Sequence, residues 1–439
     1  MQIKNPILRL ALPSVLTNIT VPLLGLVDIS IVGRMERPEC MAAVAIGTTV
    51  FNMTYWLFAF LRMGTTGIVS QAYGAGNRDS VRSGLVHGIA IGIVIALLLL
   101  LLQTPLLKVV FWLMAPEPAV CELAEAYYRV GIFGAPAALV SYVLTGWFIG
   151  IQDTRTPMFM AILQNLLNIL STVVFVYLFG MGVSGVALGT VVGLYGGVWA
   201  APFLSPRLLG VFEEGKLTVG LPAVLRSSLR SLWQSREGTI CRDLFLRTLC
   251  LVAVTVCFTT AGSRMGAICL DANALLMQFF IVYSYFTDGL ANAAEALSGA
   301  HVGARDAMGL RHTVRQLFRM GFFLALFFTL LYGMAGSWIL GLLTTQAEVL
   351  AAARPFLPWV VAVPFVALPA FIWDGIYIGM TATHRMFLSM LVAAIVFFVL
   401  LLMLPARWGN DALWFAFLAY LATRSLMQTV LNPTAKGKL

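Results

Sequence analysis

Long apolar runs recur along this chain, each interrupted by a few residues of Arg, Lys, Asp, Gly or Pro before the next begins. The run HGIAIGIVIALLLLLLQTPLLKVVFWLM at 87–114 exceeds the ~20 residues with which a helix crosses the hydrocarbon core of a bilayer. Strict apolar/polar alternation, the mark of a barrel strand, is not seen. Because a backbone in lipid must satisfy its own hydrogen bonds, the pattern predicts an all-α polytopic membrane protein. Breaking the hydropathy at its polar and Gly/Pro punctuation predicts twelve transmembrane helices, near 7–33, 42–70, 84–114, 122–151, 157–180, 183–204, 240–262, 266–300, 314–343, 349–380, 386–405 and 410–432.

Composition excludes a soluble protein: 60% of residues are hydrophobic and 11% charged, against roughly 25% charged in soluble domains. The net charge of +9 lacks the clustered, aromatic-interleaved pattern of a nucleic-acid surface, and topology explains it better. With both termini on one side, Lys and Arg concentrate on that side, leaving Arg34, Arg37, Lys108, Arg129, Arg264, Arg354 and Arg407 on the other. The positive-inside rule then predicts a cytoplasmic (inner) membrane protein with both termini in the cytoplasm. Lys4 and Arg9 lead directly into the first span with no small-residue cleavage site, so that span is expected to act as its own insertion signal. Cys40, Cys121, Cys241, Cys250, Cys257 and Cys269 form no C-x-x-C pair and sit mostly in apolar runs, which predicts neither disulfides nor metal.

The longest segment between spans, 205–239, divides the chain near its midpoint and is expected to be a cytoplasmic linker. It would join an N-terminal six-helix lobe (1–204) to a C-terminal six-helix lobe (240–439). A constant shift of 229 residues superposes Gly33 on Gly262, Gly74-Ala75 on Gly303-Ala304, and Gly146, Ile149 and Gly150 on Gly375, Ile378 and Gly379. Six spans per half give the copies the same orientation, and parallel repeats of this kind mark transporters whose substrate site lies between the halves.

Charged groups inside spans cost roughly 2.5 to 3.5 kcal/mol each on insertion scales, so they must be compensated or functional. Asp28 lies six residues beyond Pro22, a predicted hinge, in TVPLLGLVDISIVGR. It is read either as a structural acid paired with Arg62 or, preferably, as a carboxyl that burial disposes to take up and release a proton, or to bind sodium. Asp288, Asn292 and Glu295 fall at i, i+4 and i+7, a polar stripe that serves either a helix contact or a cation-attracting cavity wall. Asp374 adjoins Trp373, a setting that suits an organic cation, while Asp271 is expected at an interface. Arg62 is read as the basic residue inside a span, neutralising a buried acid. Asn165 and Asn168 are buried amides, usable for helix contacts or for coordinating a cation. Met and Phe are expected mainly in the core or against lipid, with a fraction giving an adaptable binding surface.

No phosphate-binding loop, H-E-x-x-H helix or G-x-S-x-G elbow is present, and His87, His301, His312 and His384 lack ligand spacing. The expectation is a transporter and not an enzyme, without cofactor or metal, driven by an ion gradient.

The segments LRLALPSVLTNITVPLLGLVDISIVGR, FLRMGTTGIVSQAYGAGN, GWFIGIQDTRTP, DGLANAAEALSGAHVGARD and WDGIYIGMTATHR together resemble the multidrug and toxic compound extrusion transporters, in their DNA-damage-inducible protein F branch. The resemblance covers nearly the whole chain. It implies twelve helices in two lobes around a central cleft, and export of cationic or amphipathic compounds in exchange for protons or sodium by alternating access. It makes Asp28 the coupling acid and adds Asn168 and Thr190 to its site. The acid that the family carries one turn after Asn168 is here Thr172, which disfavours a sodium site of two carboxylates and leaves either a lone Asp28 carrying a proton or a larger part for the second lobe. Asp288, Glu295 and Asp374 would be the cavity acids of the second lobe. The expected partners are small organic substrates and the lipid bilayer, with no nucleic acid, for a protein working as a monomer. The competing readings are a flippase for a lipid-linked or glycan substrate, an intramembrane enzyme, and a channel.

Overall fold

The computed structural model describes residues 5–35, 39–114, 117–213 and 236–432, and every regular element among them is helical. In chain order these are α1 (Pro6–Val32), α2 (Glu39–Leu57), α3 (Phe60–Gly74), α4 (Arg78–Leu101), α5 (Gln103–Met114), α6 (Pro118–Gly131), α7 (Ala135–Gly150), α8 (Arg155–Val173) and α9 (Gly182–Leu204). There follow α10 (Pro206–Glu213), α11 (Arg236–Arg264), α12 (Ala267–Gly303), α13 (Ala307–Leu343), α14 (Ala347–Ala353), α15 (Leu357–Gly379), α16 (Thr383–Met403) and α17 (Gly409–Val430). Joining α2 to α3, α6 to α7 and α14 to α15 across short breaks gives 10 segments among the described residues that are long and apolar enough to cross a bilayer. The remaining two spans are α1 and α17, of 27 and 22 residues. At about 1.5 Å per residue each exceeds the hydrocarbon thickness. The polarity of α17 is turned inward, with Asn410, Arg424, Ser425 and Gln428 all buried.

The chain divides into two compact units, one of Leu12–Cys241 and one of Arg242–Leu439 together with the residues up to Ala11. Of the segment expected as a linker, α10 and the start of α11 are described; residues 214–235 lie outside the described residues. The helix α1 continues through Pro22, whose side chain also lies outside them. The second unit encloses a core of interlocked aromatics, in which Phe258 meets Trp414 edge-on at 5.4 Å and Tyr332 meets Phe279 at 4.9 Å between centroids.

The 229-residue repeat reappears in the geometry, contact by contact. A methyl group on Gly146 would come within 2.3 Å of the Arg62 carbonyl oxygen; one on Gly375 would come within 2.3 Å of the Ala291 carbonyl oxygen, and 62 and 291 differ by the same shift. Likewise Gly150 rests against Val69 and Ser70, as Gly379 rests against Ser298 and Gly299. Only glycine allows backbones this close. The helix starts repeat as well. Asn77 caps α4 by accepting from Ser80 N at 3.0 Å, and Asp306 caps α13 by accepting from Gly309 N at 2.8 Å. Each cap follows a left-handed residue, Gly76 (φ 69°) in the first unit and Arg305 (φ 55°) in the second.

Candidate functional site

In the first unit helices α2, α6, α8 and α9 meet in one polar cluster, and Asp28 of α1 acts on its tyrosine. Asp28 projects from α1, Thr48 from α2, Tyr127 from α6, Asn168 and Thr172 from α8, and Thr190 from α9. The Tyr127 hydroxyl lies 3.3 Å from Thr48 Oγ1, also engages Thr190, and feels the charge of Asp28. Asn168 Nδ2 donates to Thr190 Oγ1 at 3.0 Å, and that hydroxyl donates to the Val186 carbonyl at 3.2 Å. Asn165, one turn earlier, donates to the Thr20 carbonyl at 3.4 Å and stays out of the cluster.

Close packing sets this arrangement. Gly189, Gly193 and Gly197 form a glycine ridge at four-residue spacing on α9, and they face Thr172, Asn168 and Gln164 on α8 in antiparallel register. A methyl on Gly189 would come within 2.1 Å of Thr172 Oγ1, and one on Gly193 within 2.8 Å of Asn168 Cβ. Gly47 similarly makes room for the Tyr127 ring, 2.2 Å from where its own methyl would stand. Directly after Thr172 and Val173, α8 widens into a π turn, Val174–Leu178, of the kind often found at functional positions.

Three oxygens of this cluster are buried and have no hydrogen-bond partner among the described residues: Asp28 Oδ1, Asn168 Oδ1 and Thr172 Oγ1. Buried acceptors left bare cost about 1–3 kcal/mol each, so three of them in one unit are a marked departure from ordinary packing. No ion pair joins Asp28 to Arg62 among the described residues. Arg62 has bonding of its own, and Tyr142 lies in its field.

The second unit holds a different cluster. Asp374 Oδ2, on α15, is hydrogen-bonded by Nη2 of both Arg247 (α11) and Arg424 (α17). Its Oδ1 accepts from Gln428 Nε2 at 2.6 Å. All of these side chains are buried, and the Arg424 guanidinium lies 5.8 Å from the Phe371 ring centroid. Trp373 Nε1 donates to Thr429 Oγ1 at 3.0 Å and Tyr377 donates to the Gln428 carbonyl at 2.9 Å, tying α15 to α17.

This corrects two readings of the sequence. Arg62 is not the sole basic residue within a span: Arg247 and Arg424 lie well inside α11 and α17, where hydropathy alone assigns them to the flanking positive charge. Asp374 does not present itself to an organic cation, because two guanidiniums and an amide already occupy its carboxylate. Of the stripe on α12, Glu295 is buried and Asp288 and Asn292 half-buried; Asp288 acts on Arg424, and all three have bonding of their own. Asp271 is exposed at the start of α12.

The MatE family model matches residues 13–174 and again 244–403, one segment in each unit. The chain belongs to the multidrug and toxic compound extrusion family. It is 36% identical to the DNA damage-inducible protein F of Escherichia coli over 95% of this chain and 89% of that protein. A probable multidrug resistance protein NorM of Thermotoga maritima is 26% identical over 76% of this chain and 69% of its own length. Among solved structures, a MATE transporter in the bent conformation superposes with a TM-score of 0.82 over 97% of this chain and 94% of that one, at 20% identity. The outward-facing conformation of a multidrug resistance MATE family transporter gives 0.79 over the same shares. This MATE protein is therefore a multi-pass membrane transporter of the twelve-helix fold and not an enzyme. Tyr127 and Thr48 were not foreseen from the sequence; the signal for Tyr127 was a tyrosine on the inward stripe of the short amphipathic α6.

Proposed function

We propose that this MATE transporter exports cationic or amphipathic organic compounds in exchange for protons, with Asp28 as the coupling acid. The observation that carries the reading is the bare Asp28 Oδ1, buried with no cation paired to it among the described residues while the neighbouring hydroxyls and amide serve one another. A carboxylate in that setting gains a proton at little structural cost and loses it when the site opens to water. If the outward-open and inward-open conformations hold that proton with different affinity, proton binding drives the exchange, and coupling requires nothing else.

Sodium is the second reading, favoured by the bare oxygens of Asn168 and Thr172. A sodium site with one carboxylate keeps only part of the negative charge that offsets the dehydration of the ion, so the proton is preferred. On this reading the protein lies in the cytoplasmic membrane with both termini in the cytoplasm, and one chain completes the transport cycle.

The test uses purified protein in liposomes, a fluorescent organic cation and an imposed pH gradient. Uptake driven by the pH gradient without sodium, and lost in Asp28→Asn, is the expected result. Uptake that requires sodium transfers coupling to that ion; full activity in Asp28→Asn overturns the assignment.

A further inference from the structure

The Asp374 cluster is unbalanced in charge and in hydrogen bonds. Two guanidiniums contact one carboxylate, so the groups in direct contact carry a net positive charge inside a membrane protein. Each guanidinium presents a fork of Nε–H and Nη2–H, the geometry that suits a carboxylate or a similar acceptor. Here both forks are half used. Nη2 of Arg247 and of Arg424 reach the same oxygen, Asp374 Oδ2, while Nε of Arg247 and Nε of Arg424 are buried with no acceptor among the described residues. The side chains of Arg247 and Arg424 are 7% and 5% exposed, so bulk water does not take over the role. Asp288 acts on Arg424 through its charge, and Nε of Arg424 still has no hydrogen-bond partner among the described residues.

An acceptor that completed both forks would also bring a second negative charge into direct contact with the two guanidiniums, where Asp288 acts on Arg424 only from a distance. We propose that the Arg247–Asp374–Arg424 cluster binds one monovalent anion, held by Nε of Arg247 and Nε of Arg424. The chemistry it selects is a single negative charge with acceptor capacity for two N–H donors: a free inorganic anion such as chloride, or the carboxylate of an organic compound. A site made wholly within the second unit is separate from the Asp28 cluster of the first, and its occupancy is measured at equilibrium, independently of whether export is coupled to protons.

The full-length protein is purified in detergent in isethionate buffer free of halide and carboxylate, and binding of radiolabelled chloride and of radiolabelled benzoate is measured separately. Saturable binding of about one anion per chain is expected. Chloride binding identifies a free ion as the occupant, and binding of benzoate alone identifies an organic carboxylate. Arg424→Gln leaves a balanced Arg247–Asp374 pair, so the protein should fold, and it should bind the anion more than roughly tenfold more weakly, the effect of one charged hydrogen bond. Arg424→Lys keeps the charge but loses Nε, and should fall between the two. An exposed arginine, Arg129, serves as the charge control, and Arg129→Gln should bind like the wild type. Absence of saturable binding of either probe, or equal binding by Arg424→Gln, overturns the proposal and leaves the Nε donors to a buried water.

Discussion

Asp28 and Asp374 are both carboxylates inside the membrane, and their surroundings are opposite. Asp28 has no ion pair among the described residues and keeps a bare oxygen. Asp374 is gripped by two arginines and a glutamine from two other helices. The two units nevertheless share a helix crossing, since Gly146 and Gly375 admit the Arg62 and Ala291 backbones at one constant shift. The crossing repeats in both units while the partners of the two acids differ: Asp28 has no ion pair among the described residues, and Asp374 has two.

The comparison is broken most directly by exchanging the acids for amides. Asp374→Asn strands two buried guanidiniums, and should cost about 3–5 kcal/mol of stability, seen as a large drop in melting temperature in detergent. Asp28→Asn should do the reverse, leaving the melting temperature nearly unchanged while abolishing uptake driven by a pH gradient. If Asp28→Asn unfolded the protein and Asp374→Asn were tolerated, the two roles would have to be interchanged.

Adding a methyl group to each copy of the conserved crossing tests the shared scaffold. Gly146→Ala and Gly375→Ala each push a methyl against a carbonyl oxygen, and each should destabilise by about 1–3 kcal/mol or more. Thermal melts that differed widely between them would show that the repeat in sequence is not a repeat in packing energy.

Tyr127→Phe removes the hydroxyl shared with Thr48 and Thr190. A loss of about 1 kcal/mol is expected, together with a displaced pH midpoint of transport, read from uptake across a pH series. An unchanged midpoint would place Tyr127 outside the coupling network.

The smallest effect concerns the caps. In the first unit the acceptor is Asn77, which does not titrate; in the second it is Asp306, whose carboxyl is held below its ordinary value chiefly by the Gly309 N–H. A lowered value in the folded state means the cap helps stability at neutral pH and loses that contribution as pH falls below the ordinary carboxylate value and through the lowered one. Hydrogen exchange at Gly309, corrected for its intrinsic rate, should therefore quicken in acid while Ser80 does not change. Equal behaviour at the two amides would contradict the assignment.

Much of this was legible in the sequence. Hydropathy and the 229-residue shift are one-dimensional signals, and they give the helices and the repeat; the family came through the resemblance of particular segments. Asp28, Asn168 and Thr190 were available through resemblance, because their helices carry recognisable segments. Arg247 and Arg424 were missed for a physical reason. An arginine can be stable inside a membrane protein only through its partner, and Asp374 lies 127 residues from Arg247 and 50 from Arg424. No local pattern encodes such a clamp. The antiparallel glycine ridge of α9 was overlooked because glycine is abundant in this chain, and only the facing residues Thr172, Asn168 and Gln164 give its spacing meaning.

Proton release on substrate binding separates the two acids most sharply. An organic cation is added to the purified protein in weakly buffered detergent solution, and the protons released are counted with a pH indicator. Release is expected from the wild type, retained in Arg424→Gln and absent in Asp28→Asn. Undiminished release from Asp28→Asn would contradict the assignment of Asp28 and place the coupling proton elsewhere.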